Sequence, residues 1–411
     1  EQSRNQKRVL AEMRPMVRVS AMLPMEKFFY RNNIVMAGIY IHIPFCKTRC
    51  IYCDFYSTTR SELKSQYIRA LCRELTERKE YLKGEAVETI YFGGGTPSQL
   101  SEEDFKEVFK TIEQVYGTRK ATEVTLEANP DDLTEEYTQM LRTLPFNRIS
   151  MGIQTFDDAT LRLLNRRHNA AQAIEAVQRC RQAGFQNISI DLIYGLPGEN
   201  DQRWAQDLQQ AVSLNVEHIS AYHLIYEEGT PLYKMLQQHS VSQVDEDSSL
   251  NFFSTLIDTL SAAGYEHYEI SNFCKPGMYS RHNTSYWQGI PYLGCGPSAH
   301  SFDGDSREWN VASLNQYLSS VEQGKRQHET EQLDTQTRYN EYIITGLRTM
   351  WGISTEELKS KFGDRLWEYC SEQAKPYLEN GKLKLHNDRL KLTKEGIFVS
   401  DGIMSDLLEI E

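Results

Sequence analysis

Residues 38–53 read GIYIHIPFCKTRCIYC. The first six are an apolar, β-branched run of strand length, Pro44 ends it, and Cys46, Cys50 and Cys53 follow within eight residues. A strand running straight into a cysteine loop places thiols at its carboxyl end. In parallel α/β folds that edge is where ligands bind.

Working outward, the same grammar repeats. Strand-like runs recur at 87–92 (VETIYF), 122–127 (TEVTLE), 147–152 (NRISMG), 187–195 (NISIDLIYG) and 217–224 (EHISAYHL). Helix-periodic stretches lie between them at 61–82, 101–116, 134–143, 169–183 and 201–213. Ser101 before Asp104, and Thr134 before Glu135 and Glu136, read as helix starts, and Gly184 as a stop. Six βα units in a row predict a parallel sheet covered by helices. A partial barrel and an open doubly wound sheet both satisfy that pattern.

After about residue 225 the alternation breaks. A helix is expected over 245–263, then a Gly-, Tyr- and His-rich stretch over 265–305, then helices at 313–323, 334–349, 354–361 and 364–379. Residues 382–392 read as a hairpin turning at Asn387 and Asp388, followed by a last helix from Thr393 to about Leu408. Helices closed by a hairpin make a winged-helix-like module.

The whole chain has 411 residues, 40% hydrophobic and 25% charged, within the globular range. It contains no apolar run long enough to span a membrane and no secretory pattern at its start, so a cytoplasmic protein is expected. A net charge of −12 without a basic face argues against nucleic acid. Residues 1–35 differ, with seven Lys/Arg against three Asp/Glu, +4, leaving −16 for the rest. Met36 reads as a start, and 1–35 as a poorly ordered or non-native extension. The rival reading is a basic anchor for an acidic surface.

The cysteine triad has the spacing C-x3-C-x2-C. Three thiolates are one short of the four that usually hold a cubane iron–sulfur cluster, which leaves one iron open. A Cys3His zinc site completed by His42 is the competing reading. Cys72, Cys180, Cys274, Cys295 and Cys370 are scattered and read as small apolar residues. Gly93-Gly94-Gly95-Thr96-Pro97 follows the second strand, and fits neither a Walker loop nor G-x-G-x-x-G. Glu127, Gln154 and Asp191 fall at or near strand ends, and Arg166 follows a helix. Carboxylates and an amide there suit a ribose and a cationic ligand.

C-x3-C-x-aromatic-C, with Tyr52 before Cys53, resembles the signature of the radical S-adenosylmethionine (SAM) family. That resemblance implies a partial (β/α)6 TIM-like barrel over residues 36–275. It implies a [4Fe-4S] cluster on Cys46, Cys50 and Cys53, with SAM on the open iron. It also implies SAM contacts at Tyr40, Tyr52, Gly94, Gly95, Thr96, Glu127, Gln154, Arg166 and Asp191. From Tyr40 to about Leu408 the chain resembles the oxygen-independent coproporphyrinogen III oxidase family, through YIHIPFC, GGGTP, QTF and DLIYGLP. A C-terminal α+β domain of that type, with the winged-helix-like module, is then expected over 276–411.

Three features separate the chain from the oxidase itself and resemble the family's heme-chaperone branch. Phe55 stands where the oxidase has a further cysteine, His300 stands where it usually has an apolar residue, and residues 282–287 read HNTSYW. An imidazole can ligate heme iron, and Tyr and Trp can stack on a porphyrin. His282, Tyr286 and Trp287 are therefore candidate heme contacts, with His223, His267, His300 and Cys295 as rival ligands. The resemblance implies a heme chaperone that passes heme to acceptor hemoproteins, respiratory ones among them. Peripheral membrane contact and a homodimer are compatible with it. The alternative is radical oxidative decarboxylation of coproporphyrinogen III.

Overall fold

The computed structural model describes residues 36–410; the extension expected over 1–35 lies outside the described residues. Six parallel strands, β1 (Met36–Ile43), β2 (Ala86–Gly94), β3 (Glu123–Ala128), β4 (Arg148–Gln154), β5 (Ile188–Tyr194) and β6 (His218–His223), lie side by side in chain order. A helix crosses over between each pair. A doubly wound sheet would reverse its strand order partway, so this order settles the choice in favour of a singly wound partial barrel. β1 and β6 do not pair, which leaves the barrel open on one side.

Local signals account for the crossovers. The helix Glu102–Tyr116 begins with a capping box between Ser101 and Asp104, and Ala170–Gln182 with one between Asn169 and Gln172. Thr134 and Asn200 cap two more.

The sheet continues past both edges of the six strands. β7 (Glu266–Glu269) and β8 (Asn272–Cys274) add antiparallel beyond β6. β9 (Tyr292–Cys295) pairs parallel with β1, and β10 (His300–Phe302), β11 (Ser306–Asn310) and β12 (His328–Gln332) follow antiparallel. The Gly-, Tyr- and His-rich stretch over 265–305 thus contributes β7 to β10 to the sheet, and it contains the helix Arg281–Trp287. The last residues form a separate core around Ile343, Leu358, Leu366 and Met404. Its small sheet has the order β13 (Ile353–Ser354), β15 (Arg389–Leu392), β14 (Leu383–His386), with Asn387 and Asp388 at φ 50° and 56° in the hairpin turn. The winged-helix-like expectation holds. The final helix is split into Lys394–Ile397 and Ser400–Leu407.

Strand alternation positions the site. Ile39, Ile41, Val124, Leu126, Ile149, Met151, Ile190, Leu192 and Ile219 are buried in the core. Their neighbours Tyr40, Tyr91, Glu127, Arg148, Ser150, Asp191 and Ser220 face the lumen. Ordinary (β/α)8 barrels fill that interior with branched apolar side chains. Here many lumen-facing side chains are polar or charged, and the lumen opens into a cavity of about 2990 Å³ that extends to the C-terminal domain.

Candidate functional site

The cysteine loop leaves the carboxyl end of β1 and is tied on several sides. Cys46 N donates to Thr58 O (2.9 Å), and Thr58 N to Pro44 O (2.7 Å). Lys47, inside the loop, reaches the buried carboxylate of Asp132 at 2.8 Å. Asp132 also accepts from Ser98 (2.9 Å) and from Arg167 (3.1 Å to each oxygen). One carboxylate thus joins the cysteine loop to the segments after β2 and β3 and to the Arg167 loop. Thr96 donates to Cys46 Sγ at 3.3 Å, and Arg166 Nη1 to Cys50 Sγ at 3.3 Å.

The three cysteines are free thiols, partly exposed. Burial raises Cys46 and pushes Cys53 up to about 12, so both stay protonated at neutral pH unless a metal takes the thiolate. Among the described residues, no three His, Cys, Asp or Glu side chains gather round a single ion. The three thiols interact with one another in one loop, and a cubane takes one thiolate on each of three irons. A tetrahedral zinc ion needs one focus. His42 is also otherwise engaged, with Nε2 3.0 Å from Tyr56 O and Nδ1 3.2 Å from Tyr40 OH.

The glycine loop docks on the end of β1. Gly95 N donates to Ile43 O and Thr96 N to Phe45 O, both at 2.8 Å. A Cβ on Gly94 (φ 102°) would lie 2.5 Å from the His42 ring, and one on Gly95 2.7 Å from Ile43 O. Close packing against β1 is therefore a direct reason for these glycines, beside any approach to a ligand.

Around this mouth, Glu127 accepts from Tyr91 OH (2.7 Å) and Gly94 N (3.1 Å), and burial raises its carboxyl to about 7. Gln154 ends β4 at φ 74° beside a register shift, a strained conformation for a side chain held at a site. Arg166 also donates to Asn129 Oδ1 (2.8 Å) and Gly152 O, while its buried Nε has no partner. Tyr40, Tyr52, Cys53, Gly94, Gly95, Thr96, Glu127, Gln154, Arg166 and Asp191 all line the one cavity. The donor set, the strained Gln154 and the unpaired Arg166 Nε fit a cluster with a polar cationic ligand.

The HNTSYW segment lies at the other end of the barrel. Glu123, at the start of β3, accepts from Arg281 N (2.8 Å) and His282 N (2.9 Å) and holds the helix Arg281–Trp287 against the amino ends of β1 and β2. His282 is fully buried, with Nδ1 2.8 Å from Thr89 Oγ1 and Nε2 2.8 Å from Tyr286 OH. Its ring stacks on Tyr91 at 5.1 Å, and burial, with Arg148 nearby, lowers it to about 3. Tyr286 and Trp287 line the cavity and His282 does not. Among the rivals, His223 and His300 line it. His267 stacks on Phe273, and Cys295 is buried in the core. Residues that sequence reasoning passed over are Asp132, Arg148, Ser150 and Ser220. The alternation R-I-S-M-G-I-Q over 148–154 was the available signal for Arg148 and Ser150.

Comparison with known proteins adds the following. The model of the radical SAM superfamily matches residues 40–211, and that of the HemN C-terminal domain matches residues 333–399. The chain is 33% identical to the heme chaperone HemW of Bacillus subtilis, over 91% of this chain and 99% of that one. It is 34% identical to HemW of Mycobacterium tuberculosis, over 90% and 94%. The mouse mitochondrial radical S-adenosyl methionine domain-containing protein 1 is 32% identical, over 90% and 87%. The solved structure of coproporphyrinogen III oxidase (HemN) from Escherichia coli shares the fold, with a TM-score of 0.79, 22% identity and coverage of 97% and 98%.

Proposed function

We propose, from the premise that the chain belongs to the HemW family of radical SAM proteins, that it binds heme and passes it to acceptor hemoproteins. The observation that carries this reading is a continuous cavity of about 2990 Å³ among the described residues. It runs from the cysteine loop to the Tyr286–Trp287 wall and the C-terminal domain, several times the volume of an ordinary small-molecule pocket. There is room for a tetrapyrrole beside a nucleoside cofactor.

In this reading Cys46, Cys50 and Cys53 hold the [4Fe-4S] cluster. SAM is held by Tyr40, Tyr52, Gly94, Gly95, Thr96, Glu127, Gln154, Arg166 and Asp191. When bound, these groups supply one-electron chemistry at the sulfonium. The chain's own residues position and shield it. Asp132 clamps the loop through Lys47, and Arg166 places a cation against Cys50. Tyr91 and Gly94 N hold Glu127 for a ribose or amino group. Tyr286 and Trp287 offer their rings to a porphyrin face. His282 serves them from behind by fixing Tyr286, and would have to release it before ligating iron.

Phe55, 46% exposed beside the loop, offers no further thiol there and supports carriage of heme over oxidation of its precursor. Heme acceptors, respiratory ones among them, and peripheral membrane contact belong to the same proposal, as does a cytoplasmic site of action. No described helix is long and apolar enough to cross a membrane.

The test is an anaerobic heme titration of reconstituted protein, with product analysis on coproporphyrinogen III alongside. Stoichiometric heme that survives gel filtration, with no decarboxylated product, is expected. Catalytic formation of protoporphyrinogen would overturn the reading.

A further inference from the structure

Arg148 opens β4 and lines the cavity at its base, yet it is only 1% exposed. Its Nε and Nη1 are buried without a hydrogen-bond partner. Thr125, its register neighbour on β3, is fully buried, and its hydroxyl is equally unpartnered. Glu127, two residues further along β3, interacts electrostatically with Arg148 but accepts its hydrogen bonds from Tyr91 and Gly94 N, leaving the guanidinium nitrogens unpaired. On the helix Arg281–Trp287, Trp287 lines the same cavity, and its indole N–H is buried without a hydrogen-bond partner. A guanidinium enclosed with unsatisfied N–H groups is costly unless an anion completes it. The planar fork with a neighbouring hydroxyl matches the two oxygens of a carboxylate.

Arg148 lies at the opposite end of β4 from Gln154, although Glu127, a residue of the cofactor set, interacts with it electrostatically. Gln154 lies six residues along the same strand, roughly 20 Å away at strand rise. A SAM held there leaves Arg148 for a different anion.

We infer that Arg148 and Thr125 form a carboxylate subsite at the base of the lumen, which receives a propionate arm of the heme. The inference rests on the heme-carrying reading for the identity of the ligand, but the anion site itself stands on the geometry of β3 and β4.

Two probes test it, heme and heme dimethyl ester, whose propionates are blocked. The wild-type holoprotein is expected to bind heme at least tenfold more tightly than the ester. Arg148→Met should abolish that difference while leaving ester affinity and cluster content unchanged, and should melt no lower than wild type. Thr125→Val should reduce the preference in part. If Arg148→Met fails to fold, the wild-type comparison and Thr125→Val decide. In parallel, sodium propionate should raise the wild-type melting temperature above that in chloride at equal ionic strength, and should not do so in Arg148→Met. Equal wild-type affinity for heme and its ester would overturn the subsite for heme. Failure to bind either porphyrin, with selective stabilisation by propionate, would keep the anion site and remove the heme-carrying reading. No propionate effect and no porphyrin binding would remove both.

Discussion

At the scale of single residues, the cysteine loop and the glycine loop depend on different physics. Cys46, Cys50 and Cys53 offer ligand chemistry, so Ser at any of them should lower cluster iron and sulfide to near zero with little effect on the melting temperature. Iron and sulfide analysis of the reconstituted protein checks this. Gly94 is a matter of space and backbone: a methyl group there meets His42 at 2.5 Å with φ at 102°. Gly94→Ala should cost about 1–3 kcal/mol and disturb the mouth as well, measurable by denaturant unfolding. His282 illustrates how burial alters a motif's meaning. In sequence it is a candidate iron ligand; in the structure both ring nitrogens are occupied. His282→Ala strands Thr89 and Tyr286 and leaves a void, a loss of about 2–4 kcal/mol. Heme affinity should fall through a displaced Tyr286, and Tyr286→Phe should reproduce part of that fall without creating the void.

At the scale of elements, two carboxylates tie segments that are far apart in sequence. Asp132 links the cysteine loop to the regions after β2 and β3. Asp132→Ala should leave the barrel folded but hasten loss of iron in air, seen as faster bleaching of the cluster absorbance. Glu123 pins the helix Arg281–Trp287 by accepting two of its first N–H groups. Glu123→Gln should loosen that helix at a cost of about 1–3 kcal/mol and shift the buried Trp287 emission to the red, with cluster content unchanged. The six parallel strands were legible beforehand because each is a short β-branched run between capped amphipathic helices. The helix Arg281–Trp287 was not. Its seven residues carry little periodicity, and it is held by β3, more than 150 residues earlier in the chain. β7 to β12 were missed for a related reason, since short strands added to an existing edge draw their stability from the partner.

For the molecule as a whole, buried titratable groups predict the response to pH. His42 is lowered to about 4, His168 and His282 to about 3, and His218 well below its usual value, all by burial first. Each is neutral in the fold and takes up a proton on unfolding below about pH 6.5, so stability falls as pH drops through that window. Glu127 and Glu199 are raised to about 7 and Asp207 to about 6, again by burial first. These bind protons more tightly when folded, so between about pH 4.5 and 6 they oppose the histidines. Stability should therefore change little from pH 6 to 4.5. Below that the carboxyls are protonated in both states, and stability should drop at up to about 1.4 kcal/mol per pH unit for each histidine. Urea unfolding across pH 3.5 to 7 measures the profile, and an even slope throughout would contradict it.

By itself the sequence determined the parallel α/β class, the cysteine triad, the capped helices and the closing hairpin, because each is written within a few consecutive residues as spacing, periodicity or turn chemistry. The resemblance carried by the cysteine signature implied the partial barrel, and the strand order bears it out; tertiary structure alone decided how the sheet continues past both of its edges. It also decided that polar side chains face the lumen, that HNTSYW plugs the amino end away from the cysteines, and that Arg148 is enclosed with two unpaired guanidinium nitrogens. Those are outcomes of which segments meet across long separations, and they follow from packing and burial that no local stretch of chain contains.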